Sequence, residues 1–133
     1  MSNSVTLNFL GDHIRIEHPD DYKINLESQT QLWAEIGEAC NKYNCWHVLA
    51  VSRTPPQRDM NQIDAFRSAG QAGKISNKLR VAIVLRGYEP DETTEFFVNT
   101  AYNHGVRIEF FTDQEEATRW LSNDREGHDQ PDE

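Results

Sequence analysis

Two short apolar runs constrain this chain more than anything else in it: residues 46–52 (WHVLAVS) and residues 79–86 (LRVAIVLR). Each carries aliphatic and β-branched residues at successive rather than alternate positions, the pattern of a strand covered on both faces. Such a strand lies inside a sheet with helices packed over it, and the flanking sequence supplies them. Before the first run, Leu32, Trp33, Ile36, Ala39, Cys40 and Tyr43 recur at the spacing of one helical face. Strands alternating with helices imply an α/β domain with a mostly parallel sheet and right-handed crossovers.

The rest of the chain fits that scheme. Val5, Leu7 and Phe9 alternate with polar residues, as do Ile14 and Ile16, so both segments read as half-buried strands. Gly11-Asp12 between them suits a type II′ hairpin turn, whose first position needs positive φ. Residues 19–27 form a polar connection in which Tyr22, Ile24 and Leu26 alternate. Ser28 and Gln31 make a capping box that opens the first helix, and Asn44 suits its left-handed C-terminal cap. Residues 53–58 (RTPPQR) read as a loop, because neither proline fits a central strand or a helix interior. Asp59 and Gln62 cap a second helix, with Met60, Ile63 and Phe66 as its buried stripe and Gly70 and Gly73 at its end. Residues 74–78 turn into the second apolar run. Pro90 takes the first position of a third helix, with Asp91, Glu92 and Glu95 loading its positive end. Gly105 stops that helix, and Val106, Ile108 and Phe110 form the next strand. Thr112 and Glu115 cap a last helix docked by Ala117, Trp120 and Leu121.

The predicted order is therefore β-β-α-β-α-β-α-β-α, with about five strands in one domain over residues 1–121. Residues 122–133 contain no apolar anchor and are expected to be an acidic, disordered tail. A chain of 133 residues buries enough surface to fold without metal or disulfides.

Charge narrows the function classes. The net charge is −9, which argues against general nucleic-acid binding. Residues 53–86 are the exception, at net +5 between flanks that are all acidic. That segment faces an anion or pairs with its acidic neighbours. The longest aliphatic run, residues 81–85, is far too short to cross a bilayer, so no membrane insertion is expected. The N-terminal sequence lacks the basic and apolar regions of a secretory signal, which predicts a cytoplasmic protein. Cys40, Cys45 and His47 form a loose C-x4-C-x-H run without the two tight ligand pairs of a zinc site, so no metal or other cofactor is expected.

At the level of whole segments the chain resembles the SpoIIAA-like proteins, which belong with the STAS domains of anti-sigma-factor antagonists and sulfate transporters. The resemblance is carried by HGVRIEFFTDQEEATRWL at residues 104–121, with its T-D-x-E-E-A-x-x-W-L ending. AEIGEACNKYNC followed by HVLAVS, and then LRVAIVLRG, fit the same layout, so it spans about residues 4–121. The resemblance implies a bacterial regulatory or protein-interaction module without catalysis. In the anti-sigma-factor antagonists, a serine in a D-S-S-G stretch opening the helix after the middle strand is phosphorylated by a partner kinase. The corresponding stretch here, residues 52–60 (SRTPPQRDM), has no D-S-S-G. Ser52 and Thr54 are its only hydroxyls and neither matches the motif, so they are the candidates for modification only by position.

A ligand site is expected where open α/β sheets place one, outside the carboxyl ends of the strands. Arg53, Thr54 and Arg86 follow two such ends, and Arg58 precedes a helix N-terminus. Their forked donors suit a phosphate or carboxylate, which makes the alternative function a binder of a small anionic or lipidic ligand at this rim or in an apolar cleft. The competing reading pairs them with Asp59, Glu89 and Asp113. No nucleophile elbow, phosphate-binding glycine loop or HExxH is present, and His13, His18, His47, His104 and His128 are spread along the chain, so no catalytic residue is assigned. The first two strands put Val5, Leu7, Phe9, Ile14 and Ile16 on one face. If all the helices lie on the other side, a second copy would cover that face, and a homodimer is then expected.

Overall fold

The computed structural model describes residues 5–18, 23–52, 57–58, 61–76, 78–85 and 91–122. Eleven elements follow in order: β1 (Thr6–Phe9), β2 (Ile14–His18), β3 (Lys23–Ile24), α1 (Leu26–Tyr43), β4 (His47–Ser52), β5 (Gln57–Arg58), α2 (Gln62–Gly73), β6 (Arg80–Leu85), α3 (Glu92–Asn103), β7 (Arg107–Phe111) and α4 (Gln114–Ser122). Five strands form one sheet in the order β1-β2-β4-β6-β7, with β1 antiparallel to β2 and the remaining pairs parallel. The opening turn closes as expected: Leu10 N–H donates to the His13 carbonyl, and Gly11 alone of the turn pair has positive φ.

The helix-facing side of the sheet is built in rows, because residues two apart on a strand share a face. Ile14, Val48, Val81 and Ile108 pair across the strands as one row. Ile16, Ala50, Ile83 and Phe110 form the next. Leu32, Trp33, Ile36, Ala39 and Cys40 of α1 pack on these rows together with α2 and α3. Phe9 at the hairpin stacks on Tyr43 at a centroid distance of 4.4 Å. Val5, Leu7 and Phe9 of the hairpin thus pack within the chain, while Leu10 at the turn is exposed.

The opposite side holds a second, smaller core. Ala117 and Leu121 of α4 pack on Leu49, Ala82 and Val84. Arg80 is buried there, its guanidinium 3.9 Å from the centroid of the Trp120 ring and its Nη2 donating to the Trp120 carbonyl. Both faces of β4 and β6 are covered, as their unbroken apolar runs demand. The helices are not all on one side, so the premise of the homodimer argument does not hold.

Several boundaries differ from the sequence reading. The cap of α1 is Asn25, three residues before Ser28. Asn25 Oδ1 accepts from the Ser28 N–H, and Ser28 Oγ accepts from the Asn25 N–H, so Ser28 closes the box instead of opening it. The same shift recurs at α3, where Asp91 is the cap and Thr94 its partner. Asn61 caps α2, with its side chain accepting from the Asp64 N–H. Asp113 accepts from the Glu115 N–H at the start of α4. In each case an Asx residue nearby competes with the expected cap and wins, its short carbonyl or carboxylate reaching the third N–H of the turn or one close to it.

Two pieces read as connection and loop pair instead, since β3 and β5 make a separate parallel ladder joining Ile24 to Arg58. The largest correction is at α2. Ile63 and Phe66, expected to be buried, are 62% and 55% exposed. The buried stripe is Ala65, Ser68, Ala69 and Ala72. Small side chains let α2 lie close to its neighbours: a Cβ added at Gly73 would sit 2.6 Å from His104 Cβ at the end of α3. The expected tail beyond Ser122, Met60, Asp59 and Pro90 lie outside the described residues.

Candidate binding pocket

The third row on the helix-facing side breaks the pattern. It consists of His18, Ser52 and Leu85, paired across β2, β4 and β6 at their carboxyl ends. Two of its three members are polar where the two rows below are apolar throughout. Above this row the sheet and the three helices α1, α2 and α3 separate enough to leave a cavity of about 90 Å³. Small side chains make the room: Ala50 stands between Ile16 and Ile83 in the middle row, and Ala65 faces the cavity from α2. Leu32, Trp33 and Ile36 of α1, Val81 and Ile83 of β6, and Phe97 of α3 give it an apolar wall. Ile24 of β3 closes one side, and Gln29, Thr93 and Thr94 add polar atoms near the polar row.

Burial sets the chemistry of that row. Desolvation lowers the pKa of His18, with a backbone hydrogen bond to Val51 partly opposing it. A neutral imidazole therefore stands at the cavity at neutral pH. Ser52 is only 4% exposed and lines the cavity from β4. Behind the apolar wall, Ser68 of α2 accepts from Trp33 Nε1 at 2.8 Å and from Gln29 Nε2 at 3.4 Å, which fixes the indole plane against the cavity.

Of the residues expected at a ligand rim, Ser52 lines this cavity. Arg53, Thr54 and Arg86 lie outside the described residues. Arg58 is described only as backbone, paired with Ile24. His18 was passed over in the sequence, where it counted as one of five scattered histidines. Its signal was there: Ile14, Ile16, His18 and Val48, Ala50, Ser52 each continue a period-two core face with a polar residue. Cys40, by contrast, belongs to the core, where burial, with Cys45 nearby, pushes its thiol up to about 12. Among the described residues, no three His, Cys, Asp or Glu side chains are placed to hold a metal ion.

A wider, open hollow lies at the opposite end of the parallel strands, by the starts of β4, β6 and β7, against Tyr43, Trp46, Lys78, Arg80, Tyr102 and Arg107. Two of its cations are held by aromatic rings: Arg80 lies against Trp120 of α4, and Arg107 lies over Tyr102 near the end of α3. No described helix is long and apolar enough to cross a membrane.

No protein-family model and no curated protein matches the chain. Among solved structures it is similar to an uncharacterised protein of the DUF3478 family with a SpoIIAA-like fold from Shewanella loihica PV-4. The two superpose with a TM-score of 0.50 at 19% identity, over 89% of this chain and 92% of that one. The fold of this chain is SpoIIAA-like, as the segment resemblance implied.

Proposed function

We propose that this chain is a non-enzymatic SpoIIAA-like interaction module of the cytoplasm, acting by contact with a protein partner through the face shared by α2 and α3. The observation that carries this reading is the pair Ile63 and Phe66, one turn apart on α2 and more than half exposed. Single exposed apolar residues are common and need no explanation. Phe96 of the neighbouring helix is 36% exposed, and Arg67 of α2 is exposed as well. Exposed aromatic, aliphatic and arginine side chains are the usual anchors of a protein interface.

The test is photo-crosslinking in cells of the source organism from a benzophenone amino acid at position 66, with a matched probe at Glu109 on the sheet edge. A single crosslinked protein from position 66 only, lost when Ile63→Glu is added without a change in Tm, supports the reading. A crosslinked second copy makes the partner a homodimer. Equal, diffuse crosslinking from both positions defeats the proposal.

A second reading, a small-ligand binder, is favoured by one observation, the cavity at the carboxyl ends of β2, β4 and β6. It sits where open α/β sheets bind ligands.

A further inference from the structure

We propose that β7 pairs antiparallel with the β7 of a second copy of this chain, about a two-fold axis at Ile108, so that two five-stranded sheets join edge to edge.

β7 stands at the edge of the sheet, and among the described strands it pairs with β6 alone. That pairing fixes which backbone groups it offers outward. Arg107 N–H donates to the Leu79 carbonyl, on the β6 side. Successive residues of a strand turn their hydrogen-bonding groups to opposite sides, so those of Ile108 and Phe110 face away from β6. A second β7 laid antiparallel must match outward residues with outward residues. The registers open to it therefore differ by steps of two.

Charge selects one of them. Arg107 and Glu109 are both exposed and, two apart on a strand, share one face. With Ile108 opposite the partner's Ile108, Arg107 stands opposite the partner's Glu109, and Glu109 opposite the partner's Arg107. These are non-hydrogen-bonded positions, where side chains across an antiparallel pair come closest. A slide of two residues in one direction sets arginine against arginine, and in the other glutamate against glutamate. Charges on an edge strand usually guard it against pairing. Here they guard it against every neighbouring register and favour one.

The packing of the two faces agrees with this. On the charged face, α4 packs on Leu49, Ala82 and Val84 of β4 and β6, and leaves Arg107 and Glu109 exposed beside it. On the other face Phe110 is only half-buried, and the same register brings it opposite the partner's Val106. The Val106 N–H already goes to the Ala101 carbonyl, so Val106 is left to accept from Phe110 and not to donate. The ladder then has two bonds between the Ile108 residues and one from each Phe110 N–H. Contact of this extent gives a closed, self-complementary but weak dimer.

The experiment is sedimentation equilibrium of the full chain up to about 1 mM, the weak end of specific affinity. A reversible dimer, weakened by salt, is expected. Arg107→Glu and Glu109→Arg each set like charges opposite one another twice, and each should weaken the dimer at least about fourfold. The double variant should restore it. An equimolar mixture of the two single variants should form a mixed dimer as tight as the unaltered one. Thermal unfolding checks that each variant is folded. In the unaltered chain, NOEs filtered between labelled and unlabelled copies should join Arg107 Hα to the partner's Glu109 Hα, which reads the register without any substitution. A second copy crosslinked from the probe at position 109 is expected too, and its mass tells it from a different protein crosslinked at position 66.

A chain that stays monomeric at every concentration overturns the proposal. So does a dimer that both single variants leave unchanged, or that the double variant and the mixture fail to restore, since its contact then lies on another surface. NOEs between copies that join other residues overturn the register.

Discussion

At the scale of single residues, the helix layer is organised by Ser68. It is fully buried on a helix whose other buried positions are alanines, and it accepts from the indole N–H of Trp33 across two helices. Its hydroxyl is there for the indole: a tryptophan brought into a core needs a partner for its one donor. Ser68→Ala would leave that N–H buried and unmet, at a cost of about 1–3 kcal/mol. In a Trp33→Phe background, which has no donor to orphan, the same substitution should cost clearly less. Urea unfolding of the four proteins measures this, read from midpoints at constant m. Equal costs in both backgrounds would show that the bond contributes nothing. The sequence contained this serine in an apolar register, but which donor it meets depends on how α1 and α2 lie together.

At the scale of elements, helix interiors were legible and helix ends were not. The buried stripe of α1 is the one its spacing predicts, because an apolar face must be buried whatever its neighbours. The caps moved to Asn25, Asn61, Asp91 and Asp113, since several hydroxyl and Asx residues near each end compete for the same N–H groups and differ by only a few tenths of a kcal/mol. The stripe of α2 was misread for a different reason. Bulk was taken as the sign of burial, whereas the approach of α2 to α3 leaves room only for alanine, serine and glycine on the inner side. Gly73→Ala tests this. Helix propensity alone favours alanine by about 1 kcal/mol, but a Cβ 2.6 Å from His104 Cβ requires a backbone shift. The expected result is a net loss of about 1–3 kcal/mol, the usual range for overpacking. Gly37→Ala in α1 meets only the Ile75 side chain, at 3.4 Å or more, and should stabilise or be neutral. Calorimetry that ranked the two variants in the opposite order would contradict the close packing of α2.

At the scale of the whole molecule, pH dependence follows from the one polar row inside the core. His18 has its pKa lowered by burial, while the unfolded chain titrates near 6.5. Below 6.5 the unfolded state takes up the proton before the native state does. Stability is therefore at its full value above that pH and falls as the pH drops towards the lower native pKa. Denaturation midpoints recorded from pH 7.5 downwards should decline over that interval, and the decline should be shallower in His18→Gln. An identical slope in that variant would show that the histidine is not desolvated. The same scale explains why the hairpin needs no second copy on its apolar face, because α1 covers it through Tyr43 and its neighbours.

Hydrophobic periodicity alone determined the α/β class, the five main strands and the two-sided burial of β4 and β6, since each follows from which residues cannot stay in water. Tertiary structure decided the rest. Whether α4 joined the other helices or crossed to the far face, whether Ile63 pointed in or out, and whether His18 and Ser52 met at one cavity all depend on distances between elements. A pattern read along one chain gives the face a residue occupies. It does not give what stands opposite that face, and for Ser52 the residue paired beside it, His18, comes from a strand thirty-four residues earlier in the chain.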